Sequence, residues 1–274
     1  MRRKIIQALG VVLLVITAPV AWLYFAQHSM IYHPRPYSSN YARLAGFDGL
    51  EISYRISAGE ETAFYIPARS GPPRRVWLAF CGNGSLALDW ANLFQHYPRD
   101  DEGFLLVDYP GYGKSAGYAT IANTRESAEA ALEKLSSQLG IERSHLQLGV
   151  IGHSLGAAAA LDFAEHHQVE RIVAISPFTT LREEAARVVG GWLSYLLVDN
   201  YDNRSALKKI FANNPATQVT VFHGYEDDVI PERMSEELRR EFSAIKFFPI
   251  AGADHVTVIE AARARIIASM TKPD

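Results

Sequence analysis

Leu146-Gln147-Leu148-Gly149-Val150-Ile151 runs directly into Gly152-His153-Ser154-Leu155-Gly156 and then into Ala157-Ala158-Ala159-Ala160. An apolar run, a glycine-bracketed serine and a strong helix former in succession spell a strand, a sharp turn and a helix. That is the setting a G-x-S-x-G nucleophile elbow requires. A nucleophilic serine has to project from a turn too tight for side chains at its flanks, and Gly152 and Gly156 leave that room. The helix opening after the serine aims its first amides, and the positive end of its dipole, at developing negative charge. The five-residue motif recurs by chance in ordinary chains, so the strand and helix beside it carry the weight.

Outward from this unit the chain alternates short apolar runs with helical patterns. Glu51–Ile56 and Thr62–Ile66 read as a hairpin. Arg75–Phe80, Phe104–Asp108, Leu146–Ile151, Arg171–Ile175, Gln218–Phe222 and Ile245–Ile250 read as buried strands. Helical stretches fit Leu86–His96, Thr124–Leu139, Ser154–His166, Pro231–Phe242 and Thr257–Met270. The alternation predicts an α/β fold, a mostly parallel sheet of about eight strands flanked by helices on both faces. Residues 177–215 are too long for a βα connection and include an apolar stretch, Val188 to Val198. They read as a lid or cap insertion, with Trp192, Tyr195 and Leu196 as candidate substrate contacts.

A serine nucleophile needs a base, and the base an orienting acid, here expected in the chain order Ser, acid, His. Downstream of Ser154, one strand ends in His223-Gly224-Tyr225-Glu226-Asp227-Asp228-Val229-Ile230-Pro231 and another in Ala251-Gly252-Ala253-Asp254-His255. Both loops follow the C-terminal ends of strands, where an open parallel sheet places its site. Of the nine histidines, His33, His96, His145, His166 and His167 fall in the wrong order or on helices. His223 precedes the acid loop and is expected to shape its turn, and His255, just past a C-terminal strand end, is the choice for the base. Spacing does not choose among Glu226, Asp227 and Asp228.

Gly-His-Ser-Leu-Gly, His223-Gly224 with Asp227 and Pro231, and Gly252 with His255 resemble the α/β-hydrolase superfamily. The loop Asp108-Tyr109-Pro110-Gly111-Tyr112-Gly113-Lys114-Ser115-Ala116-Gly117 narrows the resemblance to membrane-associated BEM46-like and ABHD13/ABHD17-like hydrolases. Tyr201-Asp202-Asn203 and Ile31-Tyr32-His33-Pro34 after the apolar N-terminus are similar to the same group. The resemblance spans nearly the whole chain from Met30 and implies Asp227 as the acid, from an acid loop of the form H-G-x-x-D-x-x-[VI]-P. It also implies an oxyanion hole from the backbone amides of Leu155 and of Asn83, the latter in Phe80-Cys81-Gly82-Asn83-Gly84-Ser85. Cys81 departs from the histidine many members carry there, and reads as a small buried filler rather than a second nucleophile. The Tyr109–Gly117 loop reads as structural.

The first residues differ in kind from the rest. Arg2, Arg3 and Lys4 precede a stretch from Ile5 to Pro34 without Asp, Glu, Lys or Arg. As a helix, Ile5–Phe25 would be about 31 Å long, matching a hydrocarbon core. Trp22 and Tyr24 fall where an aromatic belt would sit. Residues 1–27 are expected to be an uncleaved signal anchor, 28–45 a membrane-proximal neck and 46–274 the hydrolase domain. A cleaved signal peptide and a buried core helix are the alternatives. Positive residues at the start orient the domain to the non-cytoplasmic side, periplasmic or lumenal.

Taken as a whole, the composition is that of an ordinary globular protein. In 274 residues, 48% are hydrophobic and 21% charged, and the net charge of −3 argues against nucleic acid as a partner. A single cysteine excludes a disulfide framework and a cysteine-rich metal site. The reading calls for no cofactor or metal. The expected activity is hydrolysis of a carboxylic ester or thioester of an acyl or lipid-like substrate, delivered as a small molecule or lipid. ABHD17-like relatives include protein depalmitoylases, although a non-cytoplasmic domain would not meet cytosolic acyl-proteins. A short-chain esterase, a peptidase or amidase of the same fold, and a catalytically silent hydrolase-like binding protein are the competing readings.

Overall fold

The computed structural model describes residues 2–95 and 97–271, which leaves Met1, the start of the expected anchor, and His96, the end of one expected helix, outside the described residues. Eight strands form one sheet: β1 (Leu50–Ile56), β2 (Gly59–Ile66), β3 (Arg75–Phe80), β4 (Glu102–Val107), β5 (Gln147–His153), β6 (Arg171–Ile175), β7 (Gln218–Gly224) and β8 (Lys246–Ile250). Their spatial order is β1-β2-β4-β3-β5-β6-β7-β8. β1 and β2 are antiparallel to their neighbours, and every pairing from β4 to β8 is parallel. This is an α/β-hydrolase architecture with the expected eight strands.

Burial explains the strand sequences. Every residue of β3, β4 and β6 is buried, because helices cover both faces, and these runs are correspondingly continuous in apolar residues. β1 at the edge alternates instead, with Ile52, Tyr54 and Ile56 turned inward. The helices Ile121–Leu139, Leu155–His166, Asn203–Asn213, Glu232–Glu241 and Arg263–Thr271 pack against the sheet or one another.

Local chemistry moves several helix ends from where periodicity puts them. The Thr120 hydroxyl accepts from the Asn123 amide at 3.0 Å, a cap that starts its helix at Ile121 rather than Thr124. Gly140, at φ 64°, ends that helix as a left-handed C-cap. The expected helix Leu86–His96 is a 3-10 turn, Ala87–Trp90, followed by a single α turn, Ala91–Phe94. The last helix is interrupted at Ala262, between Val258–Ala261 and Arg263–Thr271. Residues 177–215 divide in two. Asn203–Asn213 is the crossover helix between β6 and β7, packed on Leu155–His166, whereas Leu181–Val189 packs on the turn Leu193–Leu196, in the stretch expected to be a lid.

The N-terminal helix runs from Arg2 to Ile31 with Pro19 inside it, continuing into the first residues expected for the neck. Among the described residues it is the one helix long and apolar enough to cross a membrane, with mean hydropathy 1.3 over Leu13–Ile31. Its last turn is docked on the domain: His28 Nε2 lies 2.7 Å from the Ala119 carbonyl oxygen, and the Ile31 carbonyl accepts from Asn83 Nδ2 at 3.1 Å.

At the opposite end of the parallel strands, the register sets Arg75 of β3 beside Glu102 of β4. Glu102 is buried. Its Oε1 accepts from Arg75 Nη1 at 2.9 Å, and its Oε2 accepts from Trp77 Nε1 and the Tyr97 hydroxyl, each at 2.7 Å. Arg74 and Arg99 reach the same carboxylate from more exposed positions. Arg75 keeps Glu170 as a partner, at 2.5 Å from Nη2, but loses its buried one, and Trp77 Nε1 and the Tyr97 hydroxyl lose their acceptor, so Glu102→Leu is expected to lower stability by about 3 kcal/mol. Urea unfolding checks it, and a loss under about 1 kcal/mol would show that the cluster is replaceable.

Candidate active site

β5 delivers the elbow. After His153 the chain turns at Ser154, whose φ of 57° and ψ of −121° lie outside the ordinary regions for a non-glycine residue. Such a conformation costs on the order of 1 to 3 kcal/mol and persists only where its surroundings hold it. Here the Ser154 amide donates to the Ile175 carbonyl at the end of β6, at 2.8 Å. A Cβ on Gly152 would lie 2.0 Å from the Gly156 carbonyl oxygen, and one on Gly156 would lie 2.1 Å from that of Phe80. No side chain fits at either flank. The helix begins at Leu155, one residue later than its composition indicates, because Ser154 is the turn itself.

Ser154, Asp227 and His255 come from three different strand ends and meet in one hydrogen-bonded chain. His255 Nε2 is 3.0 Å from Ser154 Oγ, and His255 Nδ1 is 2.7 Å from Asp227 Oδ2. Asp227 Oδ1 accepts from the amides of Val229 at 3.1 Å and Ile230 at 2.8 Å. Its two neighbours, Glu226 and Asp228, are exposed. Burial alone would raise the Asp227 carboxyl. The hydrogen bonds from His223 and His255, the charge His255 can carry and the Ile230 amide outweigh it and hold the group well below the usual carboxylate range.

Two further histidines support this chain. His223 Nε2 lies 3.2 Å from Asp227 Oδ2 and 2.8 Å from the Ile230 carbonyl oxygen, both acceptors, so this nitrogen carries the proton. His153 Nε2 lies 2.8 Å from the His255 carbonyl oxygen and therefore donates to it. Burial, then the proximity of His255, lowers the His153 pKa to about 3, which keeps its ring neutral. The sequence marks His153 only as an elbow residue. Its hold on the His255 backbone crosses 102 positions and leaves no local signal.

Asn83, Ser154 and Leu155 line one cleft of about 200 Å³. The Leu155 amide sits in the first turn of its helix, where no helix carbonyl reaches it. The Asn83 side chain is turned to the Ile31 carbonyl, while its own carbonyl accepts from the Tyr112 hydroxyl at 2.7 Å. Its peptide plane is thereby held from both sides. Apart from Glu184, which pairs with Arg187, the rest of the cleft wall is apolar, with Met30, Ile31, Phe178, Leu181 and Val188 prominent. Of the three lid residues singled out in the sequence, Leu196 lines an adjoining groove. Trp192 and Tyr195 do not reach the cleft: both are exposed, and Tyr195 lies under the Arg182 guanidinium.

The loop around the candidate oxyanion residues is well braced. The buried Cys81 thiol is pushed well above its ordinary pKa by burial, and its Sγ donates to the Ser85 carbonyl at 3.2 Å. The Tyr109 hydroxyl donates to the Cys81 carbonyl at 2.7 Å. Among the described residues, Asp162, Glu165 and His166 have metal-ligand spacing, but Arg125 and Lys209 already pair with the two carboxylates and the group lies outside the cleft.

The fold and this site define a class. A model of the alpha/beta hydrolase family matches residues 71–242, and the chain belongs to that family. An uncharacterized protein of Mycobacterium tuberculosis is 29% identical over 242 residues, covering 86% of this chain and 83% of that one. The human alpha/beta hydrolase domain-containing protein 17B is 28% identical over 181 residues, 64% of this chain and 58% of its own length. Among solved structures, the Pyrococcus furiosus esterase Pf2001 superposes with a TM-score of 0.62 at 16% identity, covering 88% of this chain and 97% of that one. At that identity the likeness is one of fold.

One acid beside the site is not part of the Ser154 chain. Asp108 Oδ1 accepts from the Ala87 amide at 2.8 Å and Oδ2 from the Tyr37 hydroxyl at 2.7 Å, which ties the neck to the loop after β3. Burial raises its pKa to about 7 against the pull of those two bonds. Between pH of about 4 and about 7 the folded state therefore holds a proton that the unfolded chain has released. The group's contribution to stability falls as pH rises through that window and is level above it. Chemical unfolding of wild type and Asp108→Asn at several pH values should show this decline in wild type relative to the variant. Parallel stability profiles would contradict it.

Proposed function

We propose that the chain is a serine hydrolase that cleaves carboxylic ester or thioester bonds of acyl, lipid-like substrates. The observation that carries this reading is the continuous Ser154–His255–Asp227 hydrogen-bonded chain at the mouth of an apolar cleft. Asp227 accepts a hydrogen bond from the Nδ1–H of His255, which leaves Nε2 free to take the proton of Ser154 as its oxygen attacks the substrate carbonyl. The tetrahedral oxyanion is stabilised by the amides of Leu155 and Asn83. His255 returns the proton to the leaving alcohol or thiol. Water then attacks the acyl-enzyme, with His255 acting again as base. The apolar wall favours an acyl chain over a polar acyl group, and the fold-level likeness to an esterase supports the same bond class.

The N-terminal helix is read as a single-pass anchor, with residues 46–274 as the hydrolase domain. Arg2, Arg3 and Lys4 at its start support a domain on the non-cytoplasmic side. A C-terminal tag that protease reaches from the cytoplasmic face of sealed membranes would refute that orientation.

Ser154→Ala should abolish labelling by a fluorophosphonate, and retained labelling would reject Ser154 as the nucleophile. Asp227→Asn is expected to lower kcat by about 10⁴-fold, since the amide no longer holds the imidazole in the productive tautomer. Asp228→Asn, at an exposed position, should stay within a few-fold of wild type. The reverse pattern would transfer the acid to Asp228. Hydrolysis confined to acetate and butyrate esters, with none of longer-chain esters, would replace the lipid reading with a short-chain esterase.

A further inference from the structure

The cleft at Ser154 shares part of its wall with a second cavity. Met30, Ile31, Ala185, Val189 and Leu197 line both the cleft and this second groove, which lies between the N-terminal helix and the lid. Leu23 and Gln27 extend the helix side of that groove, and Leu193 and Leu196 face them. From Met30 back to Leu23 the helix covers about 10 Å at 1.5 Å per residue, a longer path than a short acyl group fills.

The groove's polar side chains are engaged with backbone rather than presented to a guest. Gln27 Nε2 donates to the Leu196 carbonyl at 3.3 Å, and Gln27 Oε1 accepts from the Val198 amide at 2.7 Å. Ser194 Oγ donates to the Gly191 carbonyl at 2.7 Å. The carboxamide thus clamps the lid at a set distance from the helix and leaves apolar walls between them. The outer end of the groove, at Leu23, lies at the level of Trp22 and Tyr24, both exposed. On the lid, Trp192 and Tyr195 are exposed, as is Val198, whose amide donates to Gln27 of the same helix. Aromatic and aliphatic side chains turned outward there suit a bilayer interface and would be a liability in water.

We infer that this groove holds the acyl chain of the substrate, that the N-terminal helix is one of its walls, and that the chain enters laterally from the bilayer. The inference rests on the serine-hydrolase reading of Ser154. It makes the helix part of the binding site as well as an anchor. It also gives the exposed Trp192 and Tyr195 a role at the lipid surface rather than in the cleft. The occupant is a hydrocarbon chain because the two adjoining cavities offer unengaged polar groups only at the inner end, around Ser154.

The test uses the full chain reconstituted in phosphatidylcholine vesicles and a hexadecyl fluorophosphonate carrying a terminal diazirine. After photolysis and digestion, Ser154 should carry the phosphonyl group, and the tail should be crosslinked to Leu23–Ile31 or Leu193–Leu197. A labelled Ser154 with crosslinks only elsewhere would overturn the groove and leave the hydrolase reading standing. An unlabelled Ser154 would overturn both. In a second arm, Ala185→Trp and Leu196→Trp narrow the groove at two points. Each should lower the ratio of kcat/KM for a palmitate ester to that for a butyrate ester by about tenfold or more, since pocket fit discriminates at that scale. An unchanged ratio in both variants would overturn the inference.

Discussion

At Gly156 the elbow helix meets the end of β3 so closely that a Cβ there would lie 2.1 Å from the Phe80 carbonyl oxygen and 2.4 Å from that of Cys81. That approach of backbone on backbone is what the rest of the site depends on. It brings the first amide of the helix beside the Cys81–Ser85 loop, so Leu155 and Asn83 line the same cleft as Ser154. A larger residue would push the helix outward and separate the two amides. It would also relax the turn that holds Ser154 at φ 57°. The local strain persists because the sheet on one side and the helix on the other leave the chain no wider path.

The loop facing that helix is held from outside the sheet. The Asn83 side chain reaches the Ile31 carbonyl, the Tyr112 hydroxyl reaches the Asn83 carbonyl, and the Tyr109 hydroxyl reaches that of Cys81. Asp108 bonds both the Ala87 amide and Tyr37. The tyrosine- and glycine-rich loop after β4 therefore acts as a splint between the neck and the loop after β3. This accounts for a small thiol at position 81 without loss of order. Carbonyls buried there need donors, and the tyrosine hydroxyls and neck groups supply them.

Features written in local pattern were legible in the sequence. The elbow is five consecutive residues between a strand and a helix, and all eight strands stand out as apolar or alternating runs between turn residues. His255 follows from chain order. Features that depend on the direction of a side chain were not legible. Trp192 and Tyr195 are the largest apolar residues of the lid, yet they face outward, while Leu181 and Val188 face the cleft. Composition registers hydrophobicity but does not say whether the apolar neighbour is the protein or a lipid. Spacing was equally silent among Glu226, Asp227 and Asp228. The choice is made by the Val229 and Ile230 amides, which turn one carboxylate inward and leave its neighbours in solvent. The contribution of Met30 and Ile31 to the cleft wall also escaped the sequence, because nothing local joins the N-terminal helix to residues more than a hundred positions away.

The electrostatics around Asp227 follow from how its oxygens are divided. Oδ1 is taken by two backbone amides, and Oδ2 is shared between His255 Nδ1 at 2.7 Å and His223 Nε2 at 3.2 Å. Four donors on a buried carboxylate keep it charged where burial alone would neutralise it. That charge fixes the proton of His255 on Nδ1 and turns its other nitrogen, as acceptor, toward Ser154. His153 lies with its ring centroid 4.7 Å from that of His255 and stays neutral, so it holds the His255 backbone without adding a second cation. Two imidazoles thus meet one carboxylate, a third holds the backbone of His255, and only His255 has a nitrogen directed at the serine. Were that nitrogen to take a proton, the Asp227 carboxylate 2.7 Å from Nδ1 would balance the charge gained.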